Sequence, residues 1–264
     1  MKLTKSNSRE LTLVHALVHG ESGVGKTTSL GTLPVENTLI VTMERGLIPL
    51  RDKEYNVAVV KEWDDLRELM RVFVCAKSET DGSLTLTFEG EELKGIKILA
   101  IDSLSEANEL CKKNIVQVDR PALIKERTEG ERETALNAYD DLMTMEDYNL
   151  LRTRMVSFIS AVNHLPVHTI FTALSDWKED KKTGMVMRTP NLAGKFALEC
   201  AAYFDLVLYM KSNETGDRVW QTINTGAVLA KDATAALEKY EETNWTKIFG
   251  KILGTKTTTT KKEK

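Results

Sequence analysis

The run Gly20-Glu21-Ser22-Gly23-Val24-Gly25-Lys26-Thr27 carries residue types that bind polyphosphate. Four residues separate Gly20 from Gly25, and Lys-Thr follows at once, which is the Walker A spacing. Glycines let the backbone curl so that several N–H groups face one anion. The helix that follows, entered through Thr27 and Thr28, adds its N-terminal dipole. Lys26 reaches the β- and γ-phosphates, and the Thr27 hydroxyl is a ligand for Mg²⁺. The pattern therefore predicts ATP and Mg²⁺ at Gly20, Glu21, Ser22, Gly23, Val24, Gly25, Lys26, Thr27 and Thr28.

Two carboxylates extend the site. Asp102 ends the apolar run Ile96–Ile101, a buried strand whose carboxyl end lies beside the phosphate loop in an open α/β sheet. There it holds Mg²⁺ through water; its alternative is to cap the helix that starts near Ser103. Glu44 follows the strand Thr38–Met43 on the same sheet edge and is the candidate base that orients the attacking water. Its alternative is an ion pair with Arg45 or Arg51. Ser103, not a glutamate, follows Asp102. AAA+ ATPases usually place the base next to that aspartate, so this arrangement argues against them and for a RecA-like layout.

The elements that must position these groups alternate. A strand over Leu11–Val18 runs into the loop, and a short helix follows that Pro34 stops. Further strands are expected at Asn56–Val60, His168–Leu174, Phe204–Met210, Arg218–Asn224 and Ala227–Ala230, and Asp81-Gly82 followed by Leu84–Phe88 reads as a hairpin or an extended excursion. Helices are expected over Trp63–Lys77 with Asp64 as cap, Leu104–Val118 and Tyr139–Val162. Such alternation predicts an α/β fold, a mainly parallel sheet with helices on both faces. The expected division is one domain over residues 1–254 and a low-complexity, basic, disordered tail over 255–264.

Composition narrows the classes. The 264 residues carry a net charge of −3, which leaves no global nucleic-acid footprint. The three cysteines have no metal spacing and are expected as reduced core residues. The N-terminus lacks an apolar targeting core and no run suits a bilayer, so a cytoplasmic protein without membrane contact is expected. No Asn-Lys-x-Asp guanine-reading motif occurs.

Taken together, Gly20–Thr27, Met43-Glu44-Arg45-Gly46 and Ile101-Asp102-Ser103 resemble the RecA/KaiC branch of P-loop ATPases. The segments Thr189–Ala197, Tyr203–Val207 and Leu229-Ala230-Lys231-Asp232 resemble phage-encoded nucleotide-binding proteins of the RecA-core single-strand annealing type, over about Val18–Ile252. The resemblance implies a RecA-like core that binds and hydrolyses ATP, acts on single-stranded DNA in recombination, annealing or replication, and forms a ring or filament, often beside a single-strand-binding protein. It would place such a protein in the host cytoplasm. It also implies that Lys231 acts catalytically on a neighbouring subunit's ATP. Ala233 stands where the pattern has an arginine, which puts fast hydrolysis in doubt. The loop after the His168 strand lies where RecA-like proteins bind DNA. There Lys178, Lys181, Lys182, Arg188 and Lys195 would track phosphates while Trp177 stacks on a base. Two other readings stay open: an ATP-dependent assembly switch with little hydrolysis, and a P-loop nucleotide kinase. The kinase would need an arginine-rich lid, for which the segment Lys125–Glu133 is too acidic.

Overall fold

The computed structural model describes residues 8, 12–44, 47–120, 143–180, 184–213 and 215–254. The acidic segment Lys125–Glu133 and the tail 255–264, expected above to be disordered, lie outside them.

Six strands form the parallel centre: β1 (His15–Gly20), β2 (Thr38–Thr42), β3 (Asn56–Val59), β7 (Ile98–Asp102), β8 (His168–Asp180) and β10 (Leu206–Ser212). Their spatial order is β10-β1-β8-β7-β2-β3, every neighbour parallel. Parallel neighbours need crossovers that bury both faces, and β2 and β7 are buried at every position. Side chains alternate between two cores. Leu17, Val41, Ile101 and Phe171 face one; Ala16, Ile40, Ala100 and Ile170 face the other. The helices α2 (Trp63–Val74), α3 (Leu104–Asn114) and α4 (Met145–Asn163) cover the first core, and α1 (Lys26–Leu30) lies against the second. This is the expected α/β P-loop fold.

Antiparallel strands extend the sheet. β11 (Arg218–Gln221) returns along β10, and β13 (Tyr240–Glu242) follows it. β12 (Lys231–Asp232) pairs with β10, and β9 (Met185–Pro190) with β8. Beyond β3, the strands β4 (Lys77–Ser78), β5 (Leu84–Phe88) and β6 (Glu91–Ile96) make a separate small sheet.

Several boundaries differ from the sequence expectations. β1 begins at His15 and continues through Gly20, so the strand reaches the loop itself. α1 ends at Leu30, before Pro34, with Gly31 as its cap. Glu62, not Asp64, caps α2 and exchanges hydrogen bonds with Asp65 in a capping box. Ala227–Ala230 is not a strand; Val228 makes one isolated bridge to Arg188. A short helix α5 (Phe196–Glu199) and a terminal helix α6 (Trp245–Leu253) had not been anticipated. Asn244 caps α6, and Trp245 packs at a tilt against Trp220 of β11 with ring centroids 4.7 Å apart. Cys111 and Cys200 are buried, and burial pushes both thiols up to about 12. Cys75 corrects the cysteine expectation: it caps α2 at the surface.

Candidate nucleotide site

The loop from Glu21 to Gly25 joins β1 to α1 at the carboxyl edge of the sheet. Gly20 has no room for a side chain, because a Cβ would stand 2.7 Å from the Met210 carbonyl oxygen of β10. Gly25 precedes α1 with φ 106°, a conformation that L side chains rarely adopt. Lys26 is buried, and its Nζ donates to the carbonyls of Gly20 (3.1 Å) and Glu21 (2.9 Å). Burial lowers its pKa, and the carboxylates of Glu44 and then Asp102 oppose that shift. An amine desolvated inside a ring of backbone dipoles is a strong partner for phosphate.

Asp102 ends β7 and is 1 % exposed. Its Oδ2 accepts from the Thr27 hydroxyl at 2.8 Å, and its Oδ1 accepts from Thr172 of β8. Burial raises its pKa, which the Thr172 and Thr27 hydroxyls counter. Asp102 does not cap α3; Ser103 does, accepting from the Glu106 N–H. The two residues expected to hold Mg²⁺, Thr27 and Asp102, are thus in direct contact, and this hydroxyl–carboxylate pair suits a hard cation.

Glu44 lies just beyond β2, the strand beside β7. Its charge acts on both Lys26 and Asp102, so the three groups share one field. Arg51 pairs with Asp52 at 3.7 Å, and Arg45 lies outside the described residues. A further carboxylate, Glu106 in the first turn of α3, also feels Glu44 after desolvation, and its pKa is raised. Sequence reasoning missed Glu106, although its position one helical turn beyond Asp102 was a usable signal.

A family model described as AAA domain matches residues 13–234. The chain belongs to this AAA-domain family. A search of curated proteins gives no match. The membership makes it an AAA-type, P-loop ATPase domain, a class that generally uses ATP and Mg²⁺, and the loop, Lys26, Thr27 and Asp102 fit both. It also corrects the expectation, drawn from Ser103, that the chain stands apart from AAA ATPases. The physical reason lies in the sheet: β2 neighbours β7, so a glutamate leaving β2 reaches the same edge as one following Asp102. Among the described residues, no helix of this AAA domain is long and apolar enough to cross a membrane.

The remaining expected site residues scatter. β8 and β9 form the hairpin that carries Trp177, Lys178 and Arg188. Trp177 and Arg188 are directly opposite, and the Arg188 guanidinium lies 4.1 Å over the Trp177 ring. Arg188 is not a free surface cation: its Nη2 pairs with Glu21 Oε1 of the phosphate loop at 2.5 Å. Lys178 lies 3.9 Å from Asp176. Lys195 is exposed at the start of α5. Lys181 and Lys182 lie outside the described residues. Lys231 pairs through β12 with Val207, and its amine donates to the carbonyls of Phe204 (2.7 Å) and Ala201 (3.3 Å), toward the end of β10 that is remote from the loop.

His19, next to the loop, is fully buried. Its Nε2 faces the Leu229 carbonyl at 2.7 Å and must carry the proton, so Nδ1 accepts from the Ser175 hydroxyl at 2.8 Å. Burial, with lesser help from Lys26 and Arg188 and against the Leu229 bond, holds its pKa at about 4, below the ordinary 6.5. Between those values the unfolded chain binds a proton that the folded chain refuses. Stability is therefore expected to fall as pH drops through that window, by roughly 3 kcal/mol at most, and to gain no further loss from His19 below it. Burial lowers the pKa of His15 too, with the same sign. Urea unfolding at neutral pH and at about pH 4.5 checks this; a His19→Gln protein with the wild-type slope would refute it.

Proposed function

We propose that this AAA domain uses ATP to control binding of single-stranded DNA by the β8–β9 hairpin, in recombination, annealing or replication, as a homo-oligomer. The observation that carries the reading is the chain Glu21–Arg188–Trp177. Glu21 belongs to the phosphate loop, and Arg188 covers one face of a ring that is 52 % exposed. A change at the loop therefore reaches an aromatic platform able to stack on a base. Lys178 and Lys195, with Lys181 and Lys182 from the sequence between β8 and β9, supply charge for phosphates.

In this reading Lys26 holds phosphate, Thr27 and Asp102 position the metal, and Glu44 orients water. Mg²⁺, when bound, would neutralise charge that develops on the phosphates. A single-strand-binding protein is a further expected partner. The second reading, an assembly switch with little hydrolysis, draws on Lys231. Its amine is committed to two carbonyls of its own chain, and Ala233 stands where a second cation would be.

Anisotropy titrations of a labelled oligonucleotide test the proposal. Affinity is expected to rise with ATP and to weaken steeply with salt. Trp177→Ala should cost on the order of 1–3 kcal/mol, and joint replacement of Lys181 and Lys182 by Ala should flatten the salt slope. A sizing column run with ATP reports assembly in the same samples. Assembly with ATP but no ATP-dependent DNA affinity at low salt would replace the DNA reading with the switch.

A further inference from the structure

Arg218 opens β11 opposite Ser212 of β10. β10 runs parallel to β1 with Met210 opposite Gly20, so Ser212 and Arg218 lie past the end of β1, beside the phosphate loop. Strand alternation puts Arg218 on the same face as Trp220, which packs in the core that Val24 and Leu30 also join. The side chain then runs along Gly25. A Cβ on Gly25 would stand 2.6 Å from Arg218 Nη1, 2.8 Å from Cζ and 2.9 Å from Cδ. Gly25 is thus constrained twice, by its positive φ and by the arginine laid against it. Among the described residues, no carboxylate pairs with this guanidinium and no hydrogen bond holds it.

The two flanks of the loop differ. Thr27, Asp102, Thr172 and Glu44 gather on the side of β8, β7 and β2. Those groups suit the metal and the phosphate that is transferred. Arg218 arrives from β10 and β11, on the opposite flank. The loop's own backbone cradles the phosphates between. A planar guanidinium with a free fork matches phosphate oxygens.

We propose that Arg218 is a nucleotide-binding residue that takes the phosphate nearest the nucleoside, on the flank of the loop opposite Asp102, and so sets affinity for ADP and ATP alike. This rests on the reading of Gly20–Thr27 as a nucleotide site.

Fluorescence titrations with N-methylanthraniloyl-ADP and -ATP, both with Mg²⁺, test it on wild type, Arg218→Ala and Arg218→Lys. Arg218→Ala is expected to weaken both nucleotides by about the same factor, on the order of tenfold, leaving their ratio unchanged. Arg218→Lys should recover part of that loss, because it restores charge but not the fork. Weakening of ATP alone would assign Arg218 to the terminal phosphate and overturn the proposal. Equal affinity in wild type and variant, or tighter binding by the variant, would make the side chain packing or a cover, and overturns it equally. If wild type binds neither nucleotide, the nucleotide reading falls and takes this assignment with it. Thermal melting confirms folding, and Arg218→Gln carries the comparison if the alanine variant does not fold.

Discussion

Lys26→Ala is expected to abolish tight Mg-ATP binding in a protein that remains folded. The amine is buried and already makes two hydrogen bonds to the loop it would share with phosphate. Each charge-assisted contact to a phosphate oxygen contributes about 1.5–3 kcal/mol, so losing two costs a hundredfold or more in affinity, roughly. The fold should survive, because Gly20 and Glu21 lose only a donor at the mouth of an open loop, and β1 keeps its ladders to β8 and β10. Calorimetric titration with ATP, beside a thermal melt, decides it. Wild-type affinity in a folded Lys26→Ala protein would sink the nucleotide reading.

Glu44→Gln is expected to separate binding from chemistry. The amide keeps the shape of the side chain and cannot accept the proton of water, so turnover should fall by roughly a hundredfold or more while ATP still binds. Glu106→Gln is the informative companion, since Glu106 is the other carboxylate in the same field. If Glu44→Gln turns over like wild type and Glu106→Gln does not, the base is on α3 rather than after β2. Steady-state phosphate release by the two variants distinguishes these cases.

The parts of this site that were legible in the sequence are the local ones. The phosphate loop is contiguous, and its glycines and Lys-Thr pair state their chemistry at fixed spacing. Asp102 was legible because an apolar run stops at a carboxylate. Contacts across strand pairs were not. Arg188 meets Glu21, and Arg218 meets Gly25, only because of registers that span most of the chain. Nothing in Asp217-Arg218-Val219 separates that arginine from an ordinary turn residue. Ala227–Ala230 looked like a strand because four apolar residues follow a glycine turn, yet β12 takes the pairing edge of β10 a few residues later. The helix α6 carried a readable signal, Asn244 before an apolar-periodic run, but Gly250 inside the run weakened it. Chain position pointed to Glu44 as the base but not to Glu106, because α3 brings that second carboxylate into the same field only once β7 lies beside β2.

The unbroken length of β8 has a mechanical consequence. One end of this thirteen-residue strand holds the hydroxyl of Thr172 against Asp102, and Ser175 holds His19. Trp177 lies five residues past Thr172 on the same rod, about 17 Å along it at the usual rise. Beyond the sheet, among the described residues, β9 is the strand that pairs with that rod, so it forms a cantilever anchored beside Asp102. A tilt too small to disturb Thr172 grows in proportion to distance from the anchor, and it is already amplified where the tryptophan stands.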